Sequence, residues 1–315
     1  MRRLMQHPDT LTRPIHPARP TQPTRKRRAA RENLAFCRQL ARLAVRSLYQ
    51  ELVLYPKPGL VSRVDNGSHL DMTAQTFLRS LFALRHYFFR VAAAGLDAAP
   101  FNTLKKLAIQ AEERMLRATG GVNTHRGAIF ALGMLCAAMA HARGRHLPLQ
   151  PATIRATLLI QWGDALARHS AAAAGGDEHS HGQRVAAEHA VGGAREEGAL
   201  GFPSVFDVAL PQLQATLAAG RDDDHARIDA LFALMAQLSD TNVYHRGGAE
   251  GAALVRERSA AFLAAGGTAR ADWEADALAC HREFVARRLS PGGAADLLAA
   301  ACLVHQAGLL EDDRG

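Results

Sequence analysis

Gly120-Gly121-Val122-Asn123-Thr124-His125-Arg126-Gly127 runs straight into an uninterrupted apolar segment, Ala128 to Ala140. That segment has no polar face, so it reads as a helix buried on every side, the centre of a helical fold. The two glycines permit a positive-φ turn, and Asn123 has the side chain of an N-cap. A buried helix that begins with polar residues presents unpaired N–H groups, the positive end of its dipole and Arg126 to whatever lies before it. Such a helix start suits an anion, for example a phosphate.

Working outward, apolar residues at three-four spacing predict helices over about 32–52 and 73–94, the second capped by Thr73. Others follow over about 103–118, ending at Gly120, over 123–142 itself, and over 153–173, 205–219, 225–239, 249–265, 268–288 and 294–307. Ser290 and Pro291 mark the start of the last, with Pro291 at its first helical position and Asp296 one turn in. No segment alternates as a strand between hairpin turns, so the chain reads as all-α: a single multi-helix globular domain over 31–315. Residues 1–30, rich in Arg, Pro and Thr, read as a disordered basic arm.

Between the helices lie polar stretches. Tyr55 to Met72 is a long irregular segment carrying Lys57, Arg63, Asp65, Asn66, His69 and Asp71; its interleaved Leu60, Val61 and Val64 argue that it is ordered. Gly192 to Ser204 holds Arg195, Glu196 and Glu197 among glycines, and Ser239 to Gly248 holds Asp240, Asn242 and Arg246. With Gly120 to Gly127, these turns share glycines beside an Arg or an acid. The reading is that they converge on one pocket, with the cations suited to a polyphosphate and the acids to Mg²⁺, which binds through one or two carboxylates plus substrate phosphates. The histidines His179, His181 and His189 lack a cysteine partner or a Glu-flanked His-x-x-x-His pair, so no zinc site is assigned. Walker A, G-x-G-x-x-G and G-x-S-x-G patterns do not occur.

The formal charge of +8 on 315 residues is misleading until it is located. Residues 1–31 hold nine Arg/Lys against Asp9, which accounts for all of it, and the remainder is neutral. A neutral body argues against a nucleic-acid-binding protein. Cys37, Cys136, Cys280 and Cys302 are far apart in apolar contexts, which fits a reducing compartment, and the basic arm has no apolar core of a secretory signal. The longest apolar run, 13 residues, falls short of the roughly 20 that span a bilayer. A cytoplasmic protein with neither membrane nor nucleic acid as partner is expected.

Six blocks in order carry a resemblance: Pro56-Lys57-Pro58-Gly59-Leu60-Val61; Asn66-Gly67-Ser68-His69 with Asp71-Met72; Thr119 to Gly127; Gly193 to Glu197 with Gly201-Phe202-Pro203; Asp240-Thr241-Asn242 with Arg246-Gly247-Gly248; and Ser290 to Leu298. Together, over about residues 32–307, they closely resemble the triphosphoribosyl-dephospho-CoA synthase family. The resemblance implies that ATP and 3′-dephospho-CoA are the substrates. The 2′-hydroxyl of the dephospho-CoA ribose would displace adenine from C1 of the ATP ribose. The product would pass to a transferase that loads an acyl carrier protein. Tyr55 to Val61, Asp65 to His69 and Phe77 to Phe88 look more like the malonate decarboxylase branch than the citrate lyase branch. Ser62 stands where some citrate-branch members have an acid.

Residue chemistry and the implied reaction then agree. Breaking an N-glycosidic bond builds oxocarbenium character, which a carboxylate stabilises while another takes the hydroxyl proton. Glu197 or Asp240 is expected as general base, with Asp65, Asp71 and Asp296 around Mg²⁺. Lys57, His125, Arg126, Arg195 and Arg246 are expected on the triphosphate. Arg63, Asn66, His69, Gly120, Gly121, Asn123, Thr124, Asn242, Gly292 and Gly293 complete the expected substrate-binding set. The rival expectation is a helical, Mg-dependent hydrolase of a nucleotide or ADP-ribose-like N-glycosidic bond.

Overall fold

The computed structural model describes residues 25–174 and 193–312, and among them there is no strand. The helices are α1 (Arg25–Val53), α2 (Ala74–Leu96), α3 (Phe101–Thr119), α4 (Arg126–Gly144), α5 (Pro151–Ala174) and α6 (Ala194–Ala199). A π-helical turn, Ser204–Ala209, leads into α7 (Leu210–Ala218), followed by α8 (Asp223–Gln237) and α9 (Thr241–Ala264). A 3₁₀ turn, Gly267–Ala269, precedes α10 (Trp273–Ala286) and α11 (Gly292–Asp312). The expected all-α class holds.

α4 is the axis of the fold, because its apolar surface leaves no side that water can occupy without cost. Every residue from Leu132 to Ala142 is buried, and α1, α2, α3, α5, α6 and α11 all pack on the helix. Its closest neighbour is α2. At their crossing a Cβ on Gly133 would overlap the Tyr87 hydroxyl and one on Gly95 would overlap the Ala137 carbonyl. The hydroxyl of Tyr87 uses that approach to donate to the Ile129 carbonyl at 2.9 Å. α11, equally apolar, touches α1 and α4 on one side and α8, α7 and the π-helical turn on the other, so it joins the two groups of helices. α4 and α11 are long and apolar enough to pass for membrane spans, but 78% and 61% of the relevant windows lie buried inside the protein.

Several boundaries differ from the sequence reading. α1 begins at Arg25 rather than near Glu32, so Arg25 to Ala30 are helical where the arm was expected. α4 begins at Arg126 with His125 as N-cap, although the Asn123 side chain still accepts from the Arg126 N–H at 3.1 Å. The glycine-punctuated stretches after Gly193 and Asp240 are not open loops: the first forms α6 and the second the opening turns of α9. In α9 the polar sequence is accommodated by one break, Gly248 at φ 61° and ψ −159°, a conformation that favours glycine. α10 is shorter than expected, and α11 begins at Gly292, after Pro291. Thr73 caps α2 in a capping box and Gly120 closes α3 in the left-handed region, both as expected. The histidines His179, His181 and His189 lie outside the described residues.

The segment before α2 is ordered, as its apolar residues suggested. Ser68 Oγ donates to the Leu289 carbonyl at 2.5 Å, His69 Nε2 lies 2.8 Å from Ser290 Oγ, and His281 Nδ1 lies 3.0 Å from the Lys57 carbonyl. These bonds fasten the segment to the junction of α10 and α11.

Candidate active site

A cleft of about 1260 Å³ receives the polar starts of α4, α6, α9 and α11. The convergence follows from the packing: α4 and α11 lie together in the core, and the others reach the same end of them. His69, Asp71, Asn123, Thr124, His125, Arg126, Arg195, Glu197, Asp240, Asn242, Arg246, Gly292, Gly293 and Asp296 all line this cleft. Arg63, Asp65, Asn66, Gly120 and Gly121 do not, and Lys57 lies buried behind the wall. Gly120 and Gly121 have positive φ and open space around them, so their requirement is the turn.

The acids differ in how much of each carboxylate is already spoken for. A carboxylate offers about four lone-pair sites. Asp240 receives the Asn242 N–H at 2.9 Å, the Asn242 amide at 3.1 Å and the Ala294 N–H at 3.1 Å, with the Gly293 N–H as a fourth donor. It therefore ties the start of α9 to the start of α11, and the space it needs explains Gly293, whose Cβ would come within 3.0 Å of the carboxylate. Among the described residues Glu197 receives only Ser204, through its hydroxyl at 2.7 Å and its N–H at 3.2 Å, which leaves it sites that these residues do not fill beside the cleft. Asp296 receives the Ala128 N–H and lies so close to α4 that a Cβ on Gly127 would overlap its Oδ2.

The expected metal trio is not brought together. Asp65 accepts from the Gly67 N–H at 2.8 Å and pairs with His281 at 3.3 Å, outside the cleft, while Asp71 lies exposed beside His69. Among the described residues no group of three or more His, Cys, Asp or Glu is placed to hold a metal ion.

Two participants were not anticipated. Glu51 on α1 pairs with Lys57, both almost fully buried, and Glu112 on α3 pairs with Arg126 at the rim. Burial pushes the Lys57 ammonium below its ordinary value, with Glu51 and then Asp65 pulling it back. Burial and the charge of Lys57 hold His125 neutral, at about 3. Burial lifts the Glu197 carboxyl, against the Ser204 donors, and lifts Asp240 against its own donors. Asp296 is raised well above the usual carboxylate range by burial, Glu51 and Asp240. At the rim Arg246 donates to the Ser68 carbonyl at 3.1 Å and lies 3.0 Å from His69 Nδ1. His69 is held low, at about 4, by burial and by Arg246.

The raised Asp296 gives a signed prediction. Below the ordinary carboxylate range the group is protonated in folded and unfolded chains alike and costs nothing. Above it, the unfolded chain ionises freely while the folded one resists, so stability is lost as pH rises towards the folded value. Asp296→Asn is therefore expected to raise the melting temperature by about 2–4 °C at pH 8. The gain should fade towards pH 4. A melting scan showing an equal or larger gain at pH 4 would remove this account of Asp296.

A sequence profile of the family described as ATP:dephospho-CoA triphosphoribosyl transferase matches residues 37–314. A protein of Acinetobacter calcoaceticus is 39% identical over 256 residues, covering 81% of this chain and 86% of its own length. A Pseudomonas putida protein is 42% identical over 276 residues, covering 86% and 95%. One from Pseudomonas paraeruginosa is 43% identical over 278 residues, covering 87% and 91%. All three are named "Probable 2-(5''-triphosphoribosyl)-3'-dephosphocoenzyme-A synthase". No solved structure matches.

Proposed function

The chain belongs to the ATP:dephospho-CoA triphosphoribosyl transferase family, and from that premise we propose that its cleft joins the triphosphoribosyl group of ATP to the 2′-hydroxyl of 3′-dephospho-CoA and releases adenine. The observation that carries the reading is the make-up of the cleft. At about 1260 Å³ it exceeds the 300–1,000 Å³ range of ordinary small-molecule pockets, so two substrates have room. Its rim carries Arg126, paired with Glu112, together with Arg195 and Arg246; Glu197 and Asp296 also line it, and Phe101, Leu104 and Phe130 supply an apolar wall.

In the proposed step the ribose 2′-oxygen forms a bond to C1 of the ATP ribose as the bond from that carbon to adenine breaks. Adenine leaves with the bonding pair and takes up a proton. Glu197 receives the hydroxyl proton: its open lone-pair sites and raised carboxyl suit a base working near neutral pH. Asp240, whose four sites are filled, is assigned instead to holding two helix starts. Both carboxylates add negative charge near a carbon becoming cationic. His125, Arg126, Arg195 and Arg246 hold the triphosphate, and Lys57 adds its charge from behind the wall.

The donor set fits one Mg²⁺ arriving with the triphosphate. Among the described residues Asp296 has a single backbone donor, and Glu51, Asp240 and Asp296 outnumber the neighbouring ammonium, Lys57. Asp296 would hold the ion, which would neutralise charge on the phosphates.

We further infer, from the malonate-branch wording of Tyr55 to Val61 and Phe77 to Phe88, that the product is the prosthetic-group precursor for the acyl carrier protein of malonate decarboxylase. A downstream transferase would load it. The four unpaired cysteines support a cytoplasmic setting. Direct displacement requires both substrates in the cleft together. Initial rates against ATP at several dephospho-CoA concentrations are expected to give intersecting double-reciprocal lines. Parallel lines would replace direct displacement with a covalent ribosyl-enzyme.

A further inference from the structure

Ser80 is a polar residue on the buried face of α2, wholly inaccessible, with its Oγ 2.6 Å from His125 Nδ1. Among the described residues that ring nitrogen is its one hydrogen-bond partner. Two arrangements fit the distance. If Nδ1 carried the proton and donated, the buried Ser80 O–H would be left with no acceptor among the described residues, which a buried hydroxyl rarely tolerates. If Ser80 donates, both groups are satisfied and the imidazole proton sits on Nε2.

Among the described residues Nε2 itself has no partner, and neither does the neighbouring Thr124 Oγ1; both atoms are buried and both residues line the cleft. The ring is not free to turn away. Phe77 packs edge-on against it at 5.0 Å and 81°, and the His125 N–H reaches Met115 Sδ at 3.3 Å. Two donors without a partner among the described residues, at the start of α4, beside Arg126 and within the field of Lys57, call for an acceptor that carries negative charge.

We propose that Ser80 is a positioning residue that locks His125 as the Nε2–H tautomer, so that His125 and Thr124 form a neutral donor pair for a phosphoryl oxygen of the triphosphate. The identity of the ligand rests on the function proposed above; the tautomer does not. A neutral pair adds directional bonds where the cationic rim adds charge, and it does so without a further buried cation beside Lys57.

The test has one arm that needs no turnover. Long-range proton–nitrogen NMR of the wild-type histidines, with His125 assigned from the H125Q spectrum, is expected to show the Nε2–H pattern, and its Nε2 signal is expected to shift on adding inorganic tripolyphosphate. In the second arm, Ser80→Ala is expected to raise the KM for ATP about five- to tenfold with kcat within about twofold, and Ser80→Thr to restore most of the loss. An Nδ1–H pattern in the wild type, an unmoved Nε2 signal, or an S80A enzyme with wild-type KM would each overturn the proposal. A wild-type protein that makes no triphosphoribosyl product defeats the functional reading instead, and the NMR arm still decides the tautomer and the donor pair.

Discussion

Glu197→Gln is expected to lower kcat for transfer by about 10²–10⁴-fold, the usual worth of a positioned general base, with the KM for ATP changed only a few-fold. The glutamine carbonyl can accept the Ser204 N–H while its amide donates to Ser204 Oγ, so the link between α6 and the π-helical turn survives. What the amide cannot do is take a proton. The comparison that gives this result its meaning is Asp240→Asn. An asparagine offers one oxygen where Asp240 receives donors from Asn242, Gly293 and Ala294 on two. Its Nδ2 would face an N–H group. The loss is therefore expected first in melting temperature, because the starts of α9 and α11 come apart. If E197Q turns over at the wild-type rate while D240N folds normally and is dead, the two roles are reversed.

Lys57→Met is expected to cost about 3–5 kcal/mol of stability, the usual penalty for removing one partner of a buried ion pair. Lys57 is 1% exposed and its partner Glu51, which reaches the cleft wall, is 5% exposed, so the stranded carboxylate would be poorly hydrated. Asp296 lies close enough to interact with Glu51, which worsens the position of an unpaired Glu51. Adding Glu51→Gln to the methionine variant removes the stranded charge and should recover most of the loss. Urea unfolding of the wild type, the single and the double variant reads the three values. A single variant within about 1 kcal/mol of wild type would mean that the pair does not hold the segment before α2 in place.

The fold was legible because its signal is crude. A segment such as Ala128 to Ala140, apolar on every side, has nowhere to go but the centre, and its neighbours announce themselves by three-four spacing. The boundaries were less legible where glycines stand in polar sequence. Gly193 to Gly198 and Asp240 to Gly248 read as open loops by composition, yet tertiary contacts pull both into helix, through Glu197 on Ser204 and Asp240 on Ala294.

The site divides along the same line. Residues at the starts of α4, α9 and α11 could be anticipated, since a polar start to a buried helix is visible in one dimension. Asp65 could not be separated from Asp296, because what distinguishes them is three-dimensional: one meets His281 and the other Ala128. Glu51 and Ser80 leave only a faint mark in the sequence, a polar residue on an apolar helical stripe. Glu51 follows Leu48 by one turn, and Ser80 sits between Phe77 and Leu84. Such a residue is costly to bury alone, so its partner, Lys57 or His125, is the thing to look for.

The central claim is transfer, and one measurement tests it most directly. Purified protein is incubated with ATP, Mg²⁺ and 3′-dephospho-CoA, and released adenine is quantified beside the mass of the CoA product. The account predicts adenine in equal amount to a dephospho-CoA adduct heavier by one triphosphoribosyl group, and no adenine when dephospho-CoA is left out. Adenine released with dephospho-CoA unchanged would mean that water is the acceptor and the cleft belongs to a hydrolase; no adenine at all would contradict the account of the cleft outright.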